Sequence, residues 1–474
     1  MGTAHRIYKN TAYLGIAESV SKILQFVVML YAARLLTQQN FGKLSFALSL
    51  SFIAVILADL GINTLLIREV SRNKRLVSKY FINAFSIKVV LSIIAFFIII
   101  AVLNIFGYPP ATRQIVYIIW IFTILSTFTE LFYSIFRAFE KMEYDSFLKI
   151  VRMVILAISG IYVLFEGMGV VIFSYTFVFT EAIIVLIALF ITLKKFVRLK
   201  FEIDPSFIKS LLRKALPFGL AFIFGSVYFF IGSVMLSVIK GEAEVAVFSA
   251  AYNIALALLF IPTVYINAIY PVLSRYYKQS KSGLRLLYEK SFKYLYMIGL
   301  PISLGMFILA DRIIMRLYGE IYSSSVIVLQ IISLYLFIKF VNFLLGIMLS
   351  SIDKQDKRML GQGLTAGFNV LMNLALIPFI GLIGAALSTL VTEVFLFILY
   401  YVFVSRSMYY YNFLKTLPKP IIAVIVMGLF IKFAGLGLVL TIVISAAIYL
   451  IMLLLLRVLD KKDYEILGKI IKNE

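Results

Sequence analysis

The chain has 474 residues, 62% of them hydrophobic, a formal net charge of +22 and no cysteine. Its mean hydropathy of +1.02 lies far above that of soluble proteins, which are about half apolar, and marks an integral membrane protein made mostly of spans. The missing cysteines exclude disulfides, thiolate metal sites and cysteine nucleophiles. The positive charge is spread over many short connections, the pattern of the positive-inside rule and not of a nucleic-acid surface. The single histidine, His5, falls in the N-terminal tail as a solvated residue.

A helix crossing the bilayer needs about 20 apolar residues, whereas a barrel strand alternates. The apolar runs here are long and continuous, so the fold class is all-α integral membrane. Fourteen transmembrane helices are predicted: 11–36, 41–68, 80–106, 114–139, 147–166, 170–193, 215–239, 245–274, 291–315, 323–350, 359–378, 383–405, 418–434 and 438–457. The first run carries Glu18 and Lys22 and lacks a short apolar core followed by small cleavage residues, so it reads as a span and not a signal peptide. With the N-terminus inside, the cytoplasmic tails and connections hold 34 Lys and Arg, and the outer connections hold 7. That asymmetry places both termini in the cytoplasm of a multi-pass protein of the cell membrane.

A repeat runs through the chain. A shift of 212 residues superimposes Gly169 on Gly381, Thr180 on Thr392 and Glu181 on Glu393. With one gap, Lys141 falls on Lys354, and LGIAES from Leu14 and FGLAFI from Phe218 open comparable spans. Two pseudo-symmetric six-helix lobes follow, 1–200 and 201–405, with 406–474 supplying two additional helices and a cytoplasmic tail. Six is even, so the lobes share an orientation, and parallel repeats of this kind place a transporter's substrate site between them.

Nine ionisable residues lie inside these spans, where each costs at least about 2.5–3.5 kcal/mol without a partner or a wet cavity. They are Glu18, Lys22, Asp59, Lys88, Glu130, Arg152, Glu181, Lys339 and Glu393. Counting at ~1.5 Å per residue puts those of the first half roughly 8–18 Å from the cytoplasmic surface, as one polar layer. Glu18 and Lys22 stand four apart, on one helix face, and are able to pair. Lys22, Lys88, Arg152 and Lys339 offer donors suited to phosphate oxygens. The glutamates carry two readings. Glu130, Glu181 and Glu393 either join a charged layer in the cleft, in a position to couple an ion, or neutralise cations inside a lobe: Glu181 with Arg152 or Lys88, Glu393 with Lys339. Asn267, Asn342, Asn369 and Asn373 read as interhelical hydrogen bonders, and Asn253 is placed toward the cavity.

Enzyme signatures are missing. The GK at Gly42 has Thr37 where a phosphate loop needs its first glycine, and there is no HExxH or GxSxG. GQGLTAG, from Gly361 to Gly367, opens a span, and its Gly363 and Gly367 read as small-residue helix packing. No cofactor, metal or nucleotide is implied. A coupling ion, H+ or Na+, stays open.

Three stretches carry a family resemblance: FGKLSFALSLSFIAVILADLGINTLLIREVSRN (Phe41 to Asn73), SIFRAFEKMEYDSFLKIV (Ser134 to Val151) and LPISLGMFILADRIIMRLYGEIYSSSVIVLQIIS (Leu300 to Ser333). In order and spacing they resemble the polysaccharide-transport branch of the multidrug/oligosaccharidyl-lipid/polysaccharide exporter superfamily. The resemblance implies a MATE-like, two-lobed bundle with alternating access, acting as a monomer. It implies a flippase for polyprenyl or dolichyl (pyro)phosphate-linked oligosaccharide, with membrane lipids and glycan-assembly enzymes as partners and no nucleic acid. It also implies that Lys22, Arg34 and Asp59 face the central cavity. The sequence departs from the lipid II flippase branch, whose cavity is richer in arginine. Two rivals are an ion-coupled multidrug or cation antiporter of the same superfamily and a membrane glycosyltransferase or polymerase. The latter needs a sizeable catalytic loop, and the longest connection here is short and basic.

Overall fold

The computed structural model describes residues 3–198, 202–460 and 463, and side chains from Tyr13 onward apart from residues 14, 217 and 221. The predicted solvation of His5 therefore lies outside the described side chains. Every regular element among the described residues is helical. In chain order they are α1 (Thr3–Leu35), α2 (Gln38–Asp59), α3 (Ile62–Arg72), α4 (Val77–Ile105), α5 (Pro110–Ala138), α6 (Met142–Phe165), α7 (Gly169–Lys195) and α8 (Pro205–Lys240). Then follow α9 (Glu242–Leu258), α10 (Phe260–Gln279), α11 (Lys281–Leu317), α12 (Ser325–Ser351), α13 (Gln355–Ser407), α14 (Pro418–Phe433) and α15 (Leu438–Leu455). Local chemistry sets several starts. The Thr37 hydroxyl accepts from the Asn40 amide, Pro110 opens α5, and the Asp204 carboxylate caps the amides of Ser206 and Phe207.

Twelve stretches are long and apolar enough to cross a membrane. Two features bear on the expected fourteen. The 53-residue α13 is interrupted at Ile380–Gly381, where Gly381 has φ 53° and ψ −130°, a conformation open to glycine alone. And α14, with 16 residues, is shorter than a typical span.

Two predicted spans are broken. The span over 41–68 ends as a helix at Asp59 and restarts at Ile62, with Leu60 and Gly61 both left-handed (φ 44° and 78°). The depth assigned to Asp59 assumed an unbroken helix; Asp59 is instead the last residue of α2. The cause is a backbone crossing. A Cβ on Gly61 would lie 2.6 Å from the Gly219 nitrogen, and one on Gly219 would lie 2.6 Å from the Leu60 carbonyl carbon. The span over 245–274 divides at Leu259, where Pro262 has no N–H for the Leu258 carbonyl.

The chain packs as two compact units, Met1–Phe260 with Met359–Thr392, and Ile261–Arg358 with Glu393–Glu474. In the first, Leu66, Phe81, Phe132, Tyr133 and Ile184 belong to one core cluster. The Gly363 backbone meets the Phe224 ring at 3.0 Å from its would-be Cβ, whereas the Cβ position of Gly367 is open. Of the two glycines read as packing contacts, only Gly363 is one. In the second unit, Tyr288, Phe292, Tyr296, Leu345, Met348 and Tyr449 form the core. In this unit Asp463 is fully buried and accepts hydrogen bonds from Lys290 (2.6 Å), Tyr294 (2.7 Å) and Lys293.

Candidate functional site

The intramembrane charges are organised as separate clusters, each inside one packing unit. In the first unit, the Lys88 side chain on α4 is wholly buried. Its ammonium donates to Asp59 Oδ1 (2.5 Å), Thr127 Oγ1 (2.8 Å) and the Thr127 carbonyl (3.3 Å). All three donors of a lysine are thereby used. The Asp59 side chain stays 21% exposed, so the acid is partly open while the base is enclosed.

The second cluster of this unit joins α5, α6 and α7. Arg152 Nη1 lies 3.6 Å from Glu181 Oε2, and Thr129 Oγ1 donates to Glu181 Oε1 at 2.6 Å. Glu181 is fully buried while Arg152 is 24% exposed. The charges of Glu130 and Glu18 also act on Arg152. Glu130 takes its ion pair from Arg137 at 3.3 Å, and Arg137 Nε donates to the buried Asp145 at 2.6 Å.

In the second unit, Lys339 Nζ on α12 is 3.2 Å from Glu393 Oε2 on α13. Asn342 Nδ2 donates to Glu393 Oε1 (2.6 Å) and to the Glu393 carbonyl (3.0 Å). Lys339 and Glu393 are 7% and 0% exposed, and the rings of Tyr335 and Phe343 flank the ammonium at 5.8 Å. Breaking one side of such a dry pair leaves an uncompensated charge and costs about 3–5 kcal/mol.

Glu18, Lys22 and Asn253 are half-buried and Arg34 is exposed. Among the described residues Glu18 and Lys22 do not form the ion pair their spacing permits. Lys22 and Arg34 make no ion pair among the described residues. Asn369 donates to Thr392 at 3.1 Å and Asn373 to the Asn369 carbonyl at 2.8 Å, while Asn267 is exposed.

Sequence reasoning missed the threonines. Thr127 and Thr129 are ordinary on an apolar helix, and only their crowding with Thr123 on α5 hints at a polar stripe. Thr129 and Asn342 differ by 213 positions, the gapped offset that relates Lys141 to Lys354. Each donates to the glutamate of its own half, so the repeat extends to a hydrogen bond. The cation is not repeated. It comes from α6 as Arg152 in one half, and from α12 as Lys339 in the other.

Comparison with known proteins agrees with this architecture. The family profile described as "Polysaccharide biosynthesis protein" matches residues 7–277, and the MatE profile matches 217–375. The capsular polysaccharide biosynthesis protein CapF of Staphylococcus aureus is 22% identical over 416 residues, 84% of this chain and 99% of CapF. Among solved structures, the lipid II flippase MurJ in an inward closed conformation superimposes with a TM-score of 0.78 at 15% identity, covering 92% of this chain and 97% of that one. An inward-facing multidrug resistance MATE family transporter of the MOP superfamily gives 0.66 at 17% identity, covering 81% and 95%. The fold is thus that of MurJ and the MATE transporters, and with more than half of its length matched the chain belongs to the polysaccharide biosynthesis protein family.

Proposed function

We propose that this protein is a flippase that carries a lipid-linked oligosaccharide, on a polyprenyl or dolichyl (pyro)phosphate, from the cytoplasmic to the outer leaflet of the cell membrane. It works by alternating access of two six-helix halves, 1–200 and 201–405. The further helices of 406–474 complete fourteen passes, and both termini are in the cytoplasm. The protein acts as a monomer, handing its cargo to glycan-assembly enzymes. Family membership supports the polysaccharide pathway, and the MurJ-like fold suits a lipid cargo.

The observation that carries the assignment to a phosphate-bearing cargo is how the cations are used. Lys88 and Lys339 are tied to Asp59 and Glu393, whereas Lys22 and Arg34 make no ion pair among the described residues and Arg152 keeps part of its surface open. Lys22, Arg34 and Arg152 are therefore the groups we assign to the phosphate, with Glu18, Asp59 and Asn253 offering partners to sugar hydroxyls. In this reading Lys88, Glu130, Glu181, Lys339 and Glu393 pair within their own half and do not touch cargo.

The test is translocation in proteoliposomes without nucleotide, using a fluorescent polyprenyl-pyrophosphate oligosaccharide. Wild type moves it outward. Lys22→Ala slows it about tenfold, the worth of one charge-assisted hydrogen bond of ~1.5–3 kcal/mol at its lower end. The MatE match over 217–375 favours a second reading, an ion-coupled cation antiporter. Gradient-driven efflux of a lipophilic cation, with no glycolipid movement, would establish that reading in place of the first.

A further inference from the structure

The second compact unit contains a partly open cavity of about 180 Å³ beside the connection between α13 and α14. Phe292 and Tyr296 of α11, Phe337 and Val341 of α12, Phe397 of α13 and Phe413 of the connection supply most of its wall. Every residue that lines it is apolar or aromatic. The one hydroxyl among them, on Tyr296, is spent on the Thr416 carbonyl at 3.1 Å. An apolar cavity of ~150 Å³ stays dry and takes up benzene, so this one suits hydrocarbon and not water, with room for about six to eight carbons.

The wall is held in place by specific contacts. Phe413 sits among three rings, stacked on Phe292 at 5.3 Å and edge-on to Phe397 at 5.8 Å and Tyr401 at 5.5 Å. The Tyr401 hydroxyl donates to the Tyr411 carbonyl at 2.7 Å, and the Tyr411 and Thr416 hydroxyls hydrogen-bond at 3.0 Å. These contacts fix the connection against α11 and α13. Two further lining residues, Ile338 and Val394, each stand next in sequence to a member of the dry Lys339–Glu393 pair. Hydrocarbon in the cavity keeps water away from a pair whose attraction depends on a low dielectric.

Charge adjoins this apolar chamber. Helix α14 begins at Pro418, so Leu417, which lines the cavity, marks where the chain re-enters the membrane. The connection 406–419, which the positive-inside count assigns to the cytoplasmic side, carries Arg406, Lys415 and Lys419 and no acid. All three are exposed and make no ion pair among the described residues. The acids of the neighbouring elements are already matched: Glu289 with Arg285, and Asp460 and Asp463 with Lys290 and Lys293. A hydrocarbon chamber beside unpaired cations fits a molecule with an apolar tail and an anionic head. We infer that the cavity binds an anionic phospholipid of the cytoplasmic leaflet, with a stretch of one acyl chain among α11, α12 and α13 and the phosphate on Lys415 and Lys419. This lipid is a fixed component of the second unit and not the cargo, so the inference goes beyond the flippase reading. The cations assigned to cargo, Lys22, Arg34 and Arg152, all belong to the first unit.

The test is native mass spectrometry of the full chain, delipidated and then titrated with dioleoyl phosphatidylglycerol, dioleoyl phosphatidylcholine or polyprenyl phosphate. A basic residue beside an anionic headgroup is worth about fivefold in affinity. One phosphatidylglycerol should therefore bind wild type at least tenfold more tightly than phosphatidylcholine does. Lys415→Gln with Lys419→Gln should abolish that preference. Val394→Trp fills the chamber from a position that is itself exposed, and should weaken phosphatidylglycerol about tenfold. Bound phosphatidylglycerol should raise the melting temperature of wild type and not that of Val394→Trp. The lysine variant changes exposed side chains alone, so it decides the matter even where a filled cavity impairs folding. Equal affinity of wild type for the two phospholipids would overturn the site, as would a preference that survives in the lysine variant or undiminished binding to Val394→Trp. Polyprenyl phosphate that displaces phosphatidylglycerol at equal concentration would make the cavity a cargo site and overturn the fixed lipid. None of these readouts involves transport, so the flippase reading stands or falls separately.

Discussion

Glu181 and Glu393 occupy equivalent places in the two halves, and the halves neutralise them differently. At Glu181 the cation is an arginine, 3.6 Å away and 24% exposed, and one threonine hydroxyl supports the carboxylate. At Glu393 the cation is a lysine, 3.2 Å away and 7% exposed, and one asparagine bonds both the carboxylate and the backbone carbonyl. An arginine spreads its charge over a planar fork and tolerates partial wetting; an ammonium is a compact charge that needs every donor placed. The acid and its hydrogen-bond donor recur at offsets of 212 and 213 residues, on one pair of facing helices in each stretch. The source of the cation does not recur, since any neighbouring helix that reaches the carboxylate suffices. A buried acid in such a repeat is therefore a fixed demand with an interchangeable answer.

The largest effect that sharpens this contrast comes from removing each cation in turn. Lys339→Met should lower stability by about 3–5 kcal/mol, because Glu393 is left charged in a dry site. Arg152→Met should cost roughly half as much, because the guanidinium is already 24% exposed and its distance to Glu181 is longer. Thermal unfolding in detergent measures both, and the double variant Lys339→Met with Glu393→Gln should recover most of the first loss. Equal losses at the two sites would break the comparison.

The hydrogen-bond donors should separate next. Asn342→Leu removes two bonds to one residue and Thr129→Val removes one, so the former should cost about 2–3 kcal/mol and the latter ~1 kcal/mol. The same melting curves decide the order.

A lysine–carboxylate cluster at the aqueous edge completes the series with the smallest effect. Burial pushes the Asp463 carboxyl up, but the hydrogen bonds from Lys290 and Lys293 outweigh it and hold the group well below its ordinary value of 3.8. A lowered carboxylate pKa contributes stability that is complete above the unfolded value and lost as pH falls toward the folded one. Hydrogen exchange of the chain leading to Asp463 should thus be unchanged between pH 7 and pH 5, once corrected for intrinsic rates, and rise only below about pH 4. Loosening already at pH 6 would show that the anchor is not the carboxylate pair.

How much of the candidate site was legible varies residue by residue. Lys88, Arg152, Glu181, Lys339 and Glu393 stand out in the sequence because a charge in an apolar run is costly and therefore visible. Thr127, Thr129 and Asn342 are compatible with a lipid-buried helix in any role, so the bond Thr127 accepts from Lys88 and those Thr129 and Asn342 donate to Glu181 and Glu393 are invisible before the helices are placed. Gly42 entered the sequence reading only as part of a rejected phosphate-loop pattern, and its contact with the Glu242 carbonyl, 200 positions away, has no signal in the sequence.

The sequence by itself determined that the chain spans a membrane as helices, because hydrocarbon tolerates no unpaired backbone group and the apolar runs have the right length. It also determined the membrane class, the repeat of Glu181 at Glu393, and the presence of charges that demand partners. Only the tertiary structure decided which cation answers which acid, that Glu18 and Lys22 form no ion pair among the described residues, and that the second span breaks after Asp59. Those choices depend on how helices cross and how far each is rotated. Hydropathy along one helix is a local property; Gly61 against Gly219 and Gly42 against Glu242 exist only where two distant backbones touch.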